Sequence, residues 1–169
     1  GVPLKEAGFY LAIAGGLFAF IGAFGAAFIV GHVSKRGINA VLTFTAAMAI
    51  LSVPFSIGMA LVPWLSVTLV CMAVAAALKC SYVGPLQGMF LSIAKVRMRG
   101  VTAALLNVFG SLIGIGIGPL IAGMISDAAG HGTAIRYGLA AIFLLDAWSA
   151  VHFWIAKRYF ESDLASVNK

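Results

Sequence analysis

"VFGSLIGIGIGP" occupies residues 108–119, and four of its twelve residues are glycine. The run lies in one of the most apolar parts of the chain and ends on Pro119. Glycine is a poor helix former, so the run reads as a phosphate loop, a strand turn or a helix contact. A phosphate-cradling GxGxxG loop needs a preceding strand and a soluble βαβ unit. The flanks here are "ALLN" (104–107) and "LIAGMISD" (120–127), apolar and helix-like, so nucleotide binding has no scaffold. In a bilayer, small residues let helices approach closely. Gly110, Gly114 and Gly118 are four apart and share one stripe, with Gly116 off it. This spacing predicts close contact with another helix. Pro119 removes one backbone hydrogen bond and is expected to kink the helix.

The solvent follows from composition. Of 169 residues, 62% are hydrophobic and 9% charged, and mean hydropathy is +1.08. A soluble domain carries about 25% charged residues, so this chain lacks the means to make a polar shell. No Asp, Glu, Lys or Arg occurs from Ala7 to Ser34, from Gly37 to Leu78, or from Gly100 to Ser126. A helix needs about 20 apolar residues to cross the hydrocarbon. The first and third gaps suit one helix each. The second suits two, divided at "LVPW" (61–64). The expected spans are Gly8–Val30, Ile38–Leu61, Leu65–Ala94, Val101–Ile125 and Ala134–Ala156.

The net charge of +6 is a matter of topology in such a chain, with no role for nucleic acid. The segments around Lys35-Arg36, around Lys95-Arg97-Arg99, and from Lys157 to Lys169 hold eight of the eleven Lys and Arg. They fall on one side if the spans alternate, and positive-inside bias makes that side cytoplasmic. The expectation is a multi-pass protein of the plasma (inner) membrane with its C-terminus in the cytoplasm. No signal peptide is visible. A first residue that is not Met, an odd helix count and an outside start together suggest a fragment. Cys71 and Cys80 have no metal-ligand spacing and read as packing. There is no Ser-His-Asp set, no HExxH and no paired carboxylate. The expectation is a protein that is not an enzyme and has no cofactor or metal.

The segment "GPLQGMFLSIAKVRMRGVTAALLNVFGSLIGIGIGPLIAGMISD" (84–127) resembles the junction of transmembrane helices 10 and 11 in major facilitator superfamily transporters, Spinster-like members above all. The matching features are Gly84-Pro85, Arg97 and Arg99, Asn107, Gly114 to Pro119, and Gly123 to Asp127. "IRYG" (135–138) is similar to the opening of their last helix. The resemblance covers about Gly8 to Leu164 and makes the spans helices 8 to 12 of the C-terminal six-helix bundle, with the N-terminal half missing. It implies a secondary transporter working by alternating access on a small or lipid-like, anionic amphipathic solute, with proton-coupled symport. An organic-anion symporter or drug exporter of the same fold is one alternative. A non-transporting membrane scaffold is another. Two departures stand out. The usual Asp-Arg of the loop between helices 8 and 9 is Gly31-His32 here, and the usual Pro-Pro before Arg-x-Arg is Lys95-Val96.

Polar groups at membrane depth are the candidate site residues. A charge at the centre of a helix costs about 2.5–3.5 kcal/mol on insertion scales, so Lys79 needs water, a ligand or a partner. Asp146 lies at a similar depth. Either the two form a structural ion pair, or Lys79 faces a central cavity and holds an anionic group, as the resemblance implies for helix 10. Tyr82 shares the face of Lys79. Asn107 and Ser111 are four apart and point into a cavity or bond across helices. Lys79, Tyr82, Asn107 and Ser111 are thus the substrate-binding candidates. Gly110, Gly114, Gly118, Pro119, Arg97, Arg99 and Asp146 are the structural or gating candidates. Gln87 is placed to reach the cytoplasmic vestibule. His32 and His131 read as loop residues and His152 as interfacial. A looser small-residue stripe runs through Gly15, Ala19, Gly22, Ala23 and Ala26.

Overall fold

In a membrane every backbone polar group must be paired within the protein, and a helix does this within one segment. The computed structural model, which describes residues 3–128, 130 and 134–167, is helical accordingly, with no strand among the described residues. Five helices are long and apolar enough to cross a membrane: α1 (Lys5–Arg36), α2 (Ile38–Leu61), α3 (Leu65–Ser92), α4 (Val96–Ala128) and α5 (Ile135–Ala156). A sixth, α6 (Phe160–Val167), is too short to cross. These are the marks of a membrane-embedded helical bundle. His131 lies outside the described residues.

The centre of the bundle is α2. It packs on α3 on one side and on α5 on the other, while α1 lies against α3 and α4 against α5. Its buried stripe is small: Thr45, Ala49, Ser52 and Ser56 are fully buried, and Ala60 nearly so. Such residues let backbones approach where apolar lipid gives no hydrophobic drive to association. The Thr45 and Ser52 hydroxyls donate to the carbonyls of Val41 and Ala49, one turn back. Their polar atoms are thereby satisfied inside the helix that carries them. Large side chains point the other way: Phe9, Phe28, Leu120 and Trp148 are each at least 63% exposed, as expected of a surface that meets lipid.

The glycines of 108–119 behave differently from the expectation. A Cβ on Gly110 or Gly114 would meet nothing within 4 Å, and one on Gly118 would meet only the Ile113 carbonyl of its own helix, at 3.7 Å. The stripe is therefore open in this chain. The reason is that α4 leans on α5 farther along, where Gly138 sits against Ala122 and a Cβ would lie 2.5 Å from the Ala122 carbonyl oxygen. Close approach also occurs at Gly22, where a Cβ would lie 2.6 Å from Ala77 Cα. This second contact belongs to the looser stripe of α1, in which Ala26 is also buried.

The glycine run instead adopts a π-helical stretch, Gly110–Ile117, with α-helix resuming at Gly118 and passing through Pro119. A proline ring strikes the carbonyl four residues back in an α-helix. For Pro119 that carbonyl belongs to Ile115, inside the π stretch. A second π stretch, Ala12–Leu17, interrupts α1 around Gly15 and Gly16. Pro54 and Pro85 lie within continuous helix.

One end of the bundle gathers the basic segments. Val41, Leu42, Met89 and Phe160 form a buried cluster, with Val30, Val33, Ile38 and Ile93 packed around it. This joins the end of α1, the start of α2, the end of α3 and α6. Lys35-Arg36, Lys95 to Arg99 and Lys157-Arg158 therefore lie at the same end. There the Asn39 amide Nδ2 donates to Glu161 Oε1 at 2.6 Å, tying α6 to α2.

Candidate functional site

Two faces of α3 carry its polar residues. On the first, Lys79 Nζ stands 2.6 Å from Asp146 Oδ2 of α5. The contact is a close charge pair between two helices. The Lys79 ammonium also lies over the Phe143 ring, 4.6 Å from its centre. The side chains keep 30% and 24% of their exposure, but Asp146 Oδ2, the atom in contact, is itself buried. Three residues farther on, the Tyr82 ring is tilted against Phe153 at 6.3 Å between centroids. Of the two readings open for Lys79, the structure holds the ion pair. Lys79 and Tyr82 both face α5.

The second face looks onto α1 and α4. Cys80, Val83, Gly84, Pro85 and Gln87 of α3 line a groove with Ala23, Ala27 and Val30 of α1, and its volume is about 490 Å³. Gln87 borders a smaller cleft with Leu91, Ala103, Leu106 and Asn107. From Asn107 a shallow surface continues past Val108, Ser111 and Gly116. Gln87, Asn107 and Ser111 thus form a track along an uncovered face. All three are exposed, and their side chains make no hydrogen bond among the described residues.

The substrate-binding candidates therefore divide. Lys79 and Tyr82 belong to the α3–α5 side, and Asn107 and Ser111 to the open track, where Gln87 joins them. Gly110 and Gly114 are exposed near that track. Arg97 and Arg99 are exposed at the turn between α3 and α4. His32 and His152 each donate from Nδ1 to a carbonyl one turn back, at 3.0 Å. Cys71 packs on Gly58, its Sγ 3.1 Å from where a Cβ would stand.

Some contributors were not singled out by sequence reasoning. Phe143 and Phe153 are members of an abundant residue type, and only their spacing from Asp146 on α5 could have flagged them. The stripe Thr45, Ala49, Ser52, Ser56, Ala60 had a visible signal, small residues at intervals of three and four. Compared with protein-family models, with characterised proteins and with solved structures, the chain matches none.

Proposed function

We propose that the chain is the C-terminal bundle of a secondary transporter of the major facilitator type, moving an amphipathic, lipid-like solute by alternating access with a proton gradient. The observation that supports this reading best is the open track of Gln87, Asn107 and Ser111 at membrane depth. Uncovered amides are costly against hydrocarbon, so this face is suited to water, solute or a facing helical half. The helices that border it also carry the breaks that rocking bundles use. These are the π stretch of α1 and the π stretch with Pro119 of α4. Interrupted helices beside a midplane site are the usual build of secondary transporters, and π turns recur at functional sites.

In this proposal the Lys79–Asp146 pair braces α3 against α5 on the face away from the track. The test is flux in vesicles reconstituted with the full transporter under an imposed pH gradient, with lysophospholipids and water-soluble organic anions as candidate solutes. Lysophospholipid uptake that collapses with a protonophore, and that falls in Asn107→Leu, supports the reading. Uptake or thermal stabilisation by none of these solutes overturns it in favour of a scaffold. Stabilisation by water-soluble anions alone overturns the lipid-like assignment.

A further inference from the structure

A cavity of about 200 Å³ lies between α2, α3 and α5 beneath α6. Leu86, Met89 and Phe153 wall its inner part, buried Phe160 of α6 covers it, and Tyr159 and Asp163 stand exposed at its rim. Pockets for drug-sized ligands are about 300–1,000 Å³, so this one suits a segment of apolar chain. Its direction is informative. Leu86 and Phe153 lie inward of Ser92 and Ala156, the ends of their helices. At 1.5 Å per residue that is roughly 5–9 Å toward the bilayer centre. Asp163 lies beyond those ends. The cavity is therefore apolar toward the midplane and polar toward the interface, as a bilayer lipid is.

The charges at the rim select the headgroup. This end of the protein is basic, which by itself suggests an anionic lipid. Yet one of these cations is turned away: Lys157 Nζ sits over the Trp154 ring at 5.1 Å, and Trp154 borders a different hollow with Thr43 and Ala47. Glu161 is engaged by Asn39. What remains at the mouth is Asp163 together with Tyr159, both lining the cavity, with exposed Arg158 next to Tyr159 in sequence. A carboxylate and an aromatic face recognise an ammonium, and a guanidinium one turn away matches a phosphate. We infer that this cavity takes one acyl chain of a primary-amine phospholipid, its ammonium on Asp163 and its phosphate toward Arg158. The site is separate from the Gln87–Asn107 track and does not rest on the transport reading.

The test is thermal unfolding of the full chain in detergent, titrated with phosphatidylethanolamine, phosphatidylglycerol or octylamine. Phosphatidylethanolamine is expected to raise Tm well above the rise given by phosphatidylglycerol. Asp163→Asn should remove that excess and Asp163→Glu should keep it, which separates the headgroup contact from any general effect on α6. Leu86→Trp, which fills the cavity, should also remove it. Equal shifts with the two phospholipids, or an undiminished excess in Asp163→Asn, overturn the proposal. A shift with octylamine and with neither phospholipid overturns the lipid assignment.

Discussion

Lys79 of α3 and Asp146 of α5 meet at 2.6 Å across two helices that both pack on α2. The side chains keep part of their exposure while the contacting Asp146 Oδ2 is itself buried, so the pair lies between the surface and buried extremes. Removing one member leaves the other without its partner at membrane depth, at a cost of about 1–3 kcal/mol. Lys79→Met and Asp146→Ala should each lower thermal stability, and the double variant should recover most of the loss. The check is a double-mutant cycle. Additive losses would show that the two residues act apart.

The close contacts at Gly22 and Gly138 have no room for a methyl group. Gly22→Ala and Gly138→Ala should each destabilise the bundle by about 1–3 kcal/mol, because backbones must separate. Gly114→Ala meets open space and should leave unfolding unchanged or raise stability by up to about 1 kcal/mol. Thermal unfolding in detergent measures all three. If the transport proposal holds, a Gly114→Leu variant that folds but carries no flux would place the stripe against a further helix. Full flux in that variant would mean the stripe meets lipid.

Single cysteines at Ser34, Met98 and Arg158 should be modified by a membrane-impermeant maleimide from the same side of sealed vesicles. The grounds are the buried cluster that joins the ends of α1 and α3 to α6. Modification of positions 34 and 158 from opposite sides would contradict this topology.

The Asn39–Glu161 hydrogen bond fastens α6 over its cavity. Asn39→Ala removes one exposed, charge-assisted bond, for a loss of about 1 kcal/mol. Hydrogen exchange should quicken in α6 and scarcely change in α2. Uniform quickening across both would show that Asn39 supports the whole bundle.

The five membrane-length helices were legible because charge is excluded from hydrocarbon, and the gaps between charged residues mark the result directly. Which face meets which neighbour was less legible. The spacing of Gly110, Gly114 and Gly118 establishes a shared face but contains nothing about what lies opposite, and here the chain leaves it open. The smaller stripe of α1 is the one that touches a neighbour. For Lys79 the depth demanded a partner, and two were compatible with it until α3 and α5 were seen side by side. The track through Gln87, Asn107 and Ser111 depends on two helices placed by packing, which no single-helix periodicity encodes. The docking of α6 was hidden for another reason: Phe160 sits in a charged tail that reads as solvated.

The fully buried hydroxyl-and-alanine stripe of α2 reverses the usual map of where substitution hurts. In a soluble domain the intolerant positions are its large apolar residues. Here Phe28 or Leu120 should exchange freely for other bulky apolar residues, since lipid accommodates any shape. Thr45, Ala49, Ser52 and Ser56 should accept almost nothing larger than themselves. A saturation scan of this chain would therefore show its vulnerable core as a line of its smallest side chains, in a helix whose hydropathy profile does not distinguish it from its neighbours.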